Sequence, residues 1–219
     1  HNPKVILAQQ KLAQTYPGQD LFQPVDATQA SAISGLPCEH SGIFYPSAGW
    51  LNPAALCHQL CDHPNIQLRL NSQVSQLTRH EQQWCLELAQ GEFIHSPNVV
   101  LTTANHLKRF EQTEQLPLKP IRGQVSYVQA STTSQKLKTV ICGDGYLPPA
   151  SQDQHCLGAT FDPQNSSLNL LDEDHQRNLK TLSQQLPAMS SSLTSGAITG
   201  GRAAVRCTTP DYLPLAGPA

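Results

Sequence analysis

The sequence predicts an α+β fold. Three observations carry that expectation: short helices with legible caps in the first quarter of the chain, apolar residues alternating with polar ones through 66–93 and 121–161, and an amphipathic helix at 172–186.

Residues 3–15 (PKVILAQQKLAQT) place apolar side chains at helical spacing before the turn signal Tyr16-Pro17-Gly18. Asp26 then precedes ATQASAIS, a helix capped by the carboxylate and closed by Gly35. Gly42-Ile43-Phe44-Tyr45-Pro46 reads as a short strand running into a loop. At Asn52-Pro53 a second helix opens, with Asn as N-cap and Pro in the first helical position. Leu56, Cys57, Leu60 and Cys61 form its apolar stripe, and His63-Pro64 stops it.

Ile66, Leu68 and Leu70 alternate with polar residues as in a half-buried strand, and Val74 and Leu77 continue the pattern less regularly. Trp84, Leu86 and Leu88 alternate again, Gly91 turns the chain and Phe93 begins a return strand. Together they predict an antiparallel excursion. Val99-Val100-Leu101 is an unbroken apolar run, the pattern of a strand buried on both faces, and its carboxyl end Thr102-Thr103-Ala104-Asn105 is where such sheets meet ligands. The pieces RGQVSYVQ, LKTVICG, GYLPP and HCLGATF make a second β-rich region. The helix DEDHQRNLKTLSQQL follows, its opening acids complementing the helix dipole. A last strand, Ala197 to Cys207, carries Arg202 and Arg206.

Composition narrows the function classes. A chain of 219 residues fits one ordinary domain or two small lobes. No apolar run is long enough to span a membrane, and the start HNPKVILAQQ lacks a signal peptide's basic and apolar regions, so a soluble, cytoplasmic protein is expected. Net charge is −2, which excludes a nucleic-acid binder acting through bulk positive charge; contact with RNA would need a local patch or another domain. Seven cysteines at 38, 57, 61, 85, 142, 156 and 207 are scattered and odd in number, and read as reduced, buried thiols. Cys57 and Cys61, with His58 between them, read as core packing rather than metal ligands, and no metal is expected. The missing initiator Met and the stop at Pro218-Ala219, just after Leu213-Pro214-Leu215-Ala216-Gly217, read as an internal piece of a longer protein.

No GxSxG elbow, HExxH helix, Walker loop or GxGxxG turn occurs in the chain. A set of ordered segments is more informative. The run Gly42-Ile-Phe-Tyr-Pro-Ser-Ala-Gly-Trp-Leu-Asn-Pro53 resembles a signature of the D-amino-acid oxidase superfamily. VVLTTANH (99–106), IRGQVSYV (121–128), GDGYLPP (143–149) with HCLGATF (155–161), and GRAAVRCTTPDYLPLAG (201–217) match in the same order. The Gly-Trp-Leu-Asn-Pro step and the Val-Arg-Cys-Thr-Thr-Pro-Asp run are most similar to the branch acting on tRNA, the oxidoreductase half of bifunctional enzymes that modify the wobble uridine.

This resemblance implies a flavin domain of the glutathione-reductase type interleaved with an antiparallel-sheet substrate domain, truncated here at both ends. Residues 1–47 and 107–205 would belong to the substrate domain, and 48–106 and 206–219 to the flavin domain. It implies FAD as cofactor of the longer protein, tRNA as substrate, and a partner S-adenosylmethionine-dependent methyltransferase domain in the same chain. It also implies oxidative removal of the carboxymethyl group from 5-carboxymethylaminomethyl(-2-thio)uridine. A small-molecule glycine, sarcosine or D-amino-acid oxidase, or a non-catalytic interaction module, are the alternatives.

By resemblance, Arg206 matches an arginine that holds the substrate carboxylate; the alternative is a structural ion pair with Asp211. Tyr146 matches a tyrosine approaching the same carboxylate, and Phe161 lines the cavity, although either fits an ordinary core aromatic. Gly123 and Gln124 match the loop beside the isoalloxazine ring, or a β-bulge. Thr102, Thr103 and Ala104 match the strand end near the diphosphate, and Val74 a position whose backbone meets the adenine; both also fit plain sheet residues. His40, His106 and His155 read as surface or satisfied histidines, because hydride transfer from a neutral amine needs no positioned imidazole.

Overall fold

The structure, a computed structural model, describes residues 7–8, 11–12, 14–16 and 21–218. Most of the helix expected over 3–15 lies outside the described residues; those described between 7 and 15 are helical. The chain divides into two units: residues 1–50, 122–162 and 167–204, and residues 51–121, 163–166 and 205–219.

In the first unit, β1 (Gln23–Val25) pairs antiparallel with β2 (Gly42–Phe44). Helix α1 (Ala27–Ser34) lies between them in sequence. Asp26 caps it, accepting from the Gln29 amide while the Gln29 side chain accepts from the Asp26 amide, and Gly35 ends it at φ +78°. Glycine is required there twice over, because a Cβ would also sit 2.3 Å from the Lys136 carbonyl oxygen.

The main sheet has the order β10–β6–β9, built from β6 (Lys119–Gln129), β9 (Gln154–Leu157) and β10 (Ile198–Thr208). Ser126 pairs with Leu157 and Val128 with His155. The small hairpin of β7 (Ile141–Cys142) and β8 (Tyr146–Leu147) stands beside it. Helix α3 (Asp172–Gln185) carries the apolar side chains Leu182 and, just past its end, Leu186 into a core with Leu36, Val128, Leu147, Leu157, Met189 and Leu193. Alternation in β6 explains its choice of core residue: Val128 is fully buried there, one period from Ser126.

The opening acids of α3 do more than complement the helix dipole. Asp174 is buried and ion-paired to Arg122, itself fully buried on β6. Arg122 also donates to the carbonyls of Ser167 (2.6 Å) and Asn169 (2.7 Å) and to Gln124 Oε1 (2.9 Å). Gln124 in turn donates to the Leu171 carbonyl and accepts from the Leu171 amide. One turn further along, Ser126 Oγ bonds His175 Nδ1 at 2.7 Å and accepts from Asn178, which also donates to the Gln124 carbonyl. Residues 122, 124 and 126 share one face of β6, so one strand face is sewn to the first turns of α3 and to the loop before it.

In the second unit, β3 (Val74–His80), β4 (Gln83–Leu88) and β5 (Phe93–Ser96) form the expected antiparallel sheet, with an irregularity between Val74 and Gln76. Gly91 turns the chain at φ +86°. Helix α2 (Pro53–Cys61) starts as its sequence predicts: Asn52 Oδ1 accepts from the Ala54 and Ala55 amides, and Pro53 occupies the first turn.

Three expectations need correction. Ile66, Leu68 and Leu70 are exposed and form no strand; neither do Val99–Leu101, where Val100 is 84% exposed. A run of apolar residues becomes a buried strand only when neighbouring strands complete its ladder, and the described residues offer these runs none. None of the residues of α2 is buried, so Cys57 and Cys61 are not core residues here. All seven cysteines are free, but Cys57 and Cys142 are exposed and the others half-buried. No described helix is long and apolar enough to cross a membrane.

Arg122→Ala strands the Asp174 carboxylate in the interior, and breaking such a pair costs about 3–5 kcal/mol. The urea unfolding midpoint should fall accordingly, whereas truncating the exposed Arg69 of the surface pair Arg69–Glu92 should leave it nearly unchanged.

Candidate functional site

The candidate residues of the first unit come from three separated segments that the fold lays side by side. Tyr146 opens β8. Its amide donates to the Gly158 carbonyl at 2.5 Å, and the Gly158 amide donates back at 3.2 Å. From Gly158 the chain runs through Thr160 against β6: the Thr160 amide donates to the Gln124 carbonyl (3.1 Å), and the Gln124 amide donates to Thr160 Oγ1 (3.0 Å). Arg122 and Asp162 exchange both backbone bonds on the next register. Tyr146, the Gly158–Phe161 segment and Gly123–Gln124 therefore occupy three adjoining lengths of extended chain.

Within that set the side chains divide. Gln124 is fully buried with its amide head bonded to Arg122 and Leu171, so its side chain serves the interior and the half-buried Gly123 is the member of the pair left to approach a ligand by backbone. Thr160 is buried. Phe161 is 53% exposed and Tyr146 36%, so neither is a plain core aromatic. Gly158 is small by necessity: a Cβ there would lie 2.7 Å from Val125 Cγ1 and 3.3 Å from the Tyr146 hydroxyl. Val125 occupies the room a side chain would take, and the phenol hydroxyl borders it.

In the second unit, Thr102, Thr103 and Ala104 are exposed, and Val74 is half-buried opposite Leu88. Ala104 adopts φ +50°, the left-handed region that non-glycine residues occupy chiefly at turns and ligand clamps. It begins a 3₁₀ turn (Ala104–Arg109) that no Thr103 side-chain bond caps. Asn105 Nδ2 donates to the Arg206 carbonyl at 3.0 Å, tying this segment to the backbone that carries Arg206. The Arg206 side chain is exposed. Asp211, its suspected structural partner, accepts from the Leu213 amide at 3.1 Å, and this bond, with one from Thr209, holds its carboxyl below the usual range.

The exposed hydroxyls of Thr102 and Thr103, with no carboxylate among residues 102–104, present neutral donors from which a phosphate could accept. Among the described residues no group of three or more His, Cys, Asp or Glu is arranged to hold a metal ion. A cavity of about 920 Å³ opens in the first unit between α1, β2 and the β7–β8 hairpin, its walls including Tyr45, Trp50, Cys142, Gly143 and Gln185. A smaller one of about 370 Å³ lies in the second unit against Leu107, Leu118, Cys207 and Leu213.

The chain superposes on L-proline dehydrogenase from P. horikoshii with a TM-score of 0.79 at 14% identity, covering 100% of this chain and 61% of that one. Glycine oxidase from Bacillus cereus gives 0.78 at 16%, covering 97% and 58%. The architecture is thus D-amino-acid oxidase-like. Residues 4–219 match the FAD dependent oxidoreductase (DAO) family, and the chain belongs to it. It is 42% identical over 214 residues to the tRNA 5-methylaminomethyl-2-thiouridine biosynthesis bifunctional protein MnmC of Ectopseudomonas mendocina, covering 96% of this chain and 32% of that protein. The protein of the same name from Chromobacterium violaceum is 41% identical, with 100% and 34% covered. The chain spans about a third of the length of these relatives.

Of the three histidines, His155 is fully buried on β9. Its Nδ1 donates to the Pro148 carbonyl at 2.9 Å, and Nε2 has no partner among the described residues. Burial pulls its pKa below the usual 6.5, with the Pro148 bond opposing. The unfolded chain therefore takes up the proton first, so His155 lowers stability as pH falls through 6.5 and has no such effect at higher pH. Unfolding midpoints compared at about pH 7 and about pH 5 should show this loss, and His155→Leu should flatten it.

Proposed function

We propose that this chain is the substrate-gripping portion of a flavoprotein that oxidatively removes the carboxymethyl group from 5-carboxymethylaminomethyl(-2-thio)uridine at the tRNA wobble position. The observation that carries the reading is the convergence of Tyr146, Gly158–Phe161 and Gly123 on adjoining strands in a chain about 40% identical to proteins named for this tRNA modification.

Residues 1–47 and 107–205 supply the substrate domain, and residues 48–106 and 206–219 belong to the flavin domain. FAD would be held by the Val74 backbone at the adenine, by Thr102, Thr103 and Ala104 at the diphosphate, and by the Gly123 backbone beside the ring. Bound there, it supplies the two-electron acceptor. The protein's own work is orientation. The substrate arm is a secondary amine bearing a glycine-like carboxylate. Arg206 grips that carboxylate as a planar fork, and the Tyr146 hydroxyl donates to it. Phe161 shields the arm from water. With the carboxylate fixed at two points, the C–H between it and the nitrogen is the bond presented for oxidation. Loss of hydride and proton from that C–N unit gives an imine, which water cleaves to aminomethyl uridine and glyoxylate. The tRNA body and the methyltransferase domain belong to the longer protein.

Arg206→Ala in the full-length protein should lower kcat/KM for the modified tRNA by about 10- to 100-fold, the worth of one charge-assisted bond. Turnover at the wild-type rate would remove Arg206 from the site. Free glycine offered in the same assay tests the small-molecule alternative: oxidation of glycine with tRNA left intact would replace the proposal.

A further inference from the structure

We infer that Gln185, in the last turn of α3, is a positioning residue for Tyr146. This rests on the reading of Tyr146 as a substrate contact, and the argument comes from the turn that precedes it.

Cys142-Gly-Asp-Gly-Tyr146 is a tight hairpin in which the Gly143 amide donates to the Gly145 carbonyl at 2.8 Å. Two glycines in three residues leave this turn with little conformational restraint of its own. It meets α3 at the edge of the 920 Å³ cavity, which Cys142, Gly143 and Gln185 line together. Thr181 and Gln185 are four residues apart on that helix, hence neighbours on one face. A Cβ on Gly143 would fall 2.2 Å from the amide head of Gln185, and one on Gly145 would fall 3.0 Å from Thr181 Cγ2 and 2.9 Å from the Gly158 carbonyl oxygen. The glycines are what allow the helix to come so close.

The half-buried Gln185 uses that approach. Two backbone donors, the Asp144 amide at 2.6 Å and the Gly145 amide at 3.0 Å, face one atom of its side-chain amide, so that atom is the oxygen and accepts from both. One oxygen pins the two consecutive peptides just before Tyr146. The phenol hydroxyl lies beside Gly158, 3.3 Å from where a Cβ would stand. The far end of α3 is immobilised by Asp174, His175 and Asn178 on β6. The helix is therefore a rod of fixed length between the strand face at 122–126 and the tyrosine turn. Gln185 is where it sets the tyrosine's place.

The test uses the full-length protein with 3-fluorotyrosine at position 146, alongside Gln185→Ala, Gln185→Glu, Tyr146→Phe and the double variant. Gln185→Ala should broaden or shift the fluorine resonance. It should lower kcat about tenfold with a smaller change in KM, because a misaligned substrate is still bound. Glutamate keeps an oxygen acceptor and should restore both readouts. In the Tyr146→Phe background, Gln185→Ala should cost less than about twofold further. An unmoved resonance, or the same loss in both backgrounds, overturns the inference. A moved resonance while Tyr146→Phe is itself silent supports the positioning role and instead removes Tyr146 from the substrate site. Should Gln185→Ala fail to fold, Gln185→Met against Gln185→Glu makes the same comparison with side-chain volume retained.

Discussion

The first unit depends on one buried ion pair. Arg122 and Asp174 lie fifty-two residues apart, and both are taken out of water. Interior charges are tolerated only when each polar atom finds a partner, and the guanidinium does so through Asp174, two loop carbonyls and Gln124. That requirement decides geometry. A hydrophobic helix face can slide or rotate on a sheet at modest cost, but a guanidinium with assigned acceptors permits one register. Specificity of placement, more than net stability, is what such a pair contributes.

Placement matters because the tyrosine and the strand beside it are parts of one instrument. A carboxylate held at two points defines the direction of the adjoining C–H bond only as well as the two points are fixed. The turn that carries the tyrosine is itself held by the pairing of Cys142 with Tyr146 and by the bond from the Gly143 amide to the Gly145 carbonyl. Its coordinates come from β9 on one side and from α3 on the other, and α3 takes its own position from β6. Both placements are thus referred to a single strand, β6, on which Arg122 and Ser126 hold α3.

Local signals in the sequence were well read wherever the cause is local. Asp26 with Gln29, Gly35, Asn52-Pro53 and Gly91 all act within a few residues, through caps and turns, and each appears where the pattern puts it. The hairpins of 74–96 follow from alternation with a period of two. Apolar runs without a partner misled, because burial is a property of the neighbours: Val100 and Leu70 are as hydrophobic as Val128 and Leu88, and their exposure is the opposite. Ordered resemblance drew attention to Tyr146, Phe161 and Gly123, yet it gave no reason for Gly158, Gln185 or the Arg122–Asp174 pair. Those depend on what faces them across the fold. The Gly-Asp-Gly spacing before the tyrosine was the one hint that something approaches that turn closely.

Phe161 occupies a different position in this economy. Its chain neighbours Thr160 and Asp162 are bonded to β6 through their backbones, while its own ring stands more than half in solvent. Strand pairing of the main chain is indifferent to what the ring is made of. The course of the chain through 161 is therefore set by the backbone bonds of its two neighbours, so an aromatic or aliphatic replacement there should leave the strand pairing in place while changing the surface it presents.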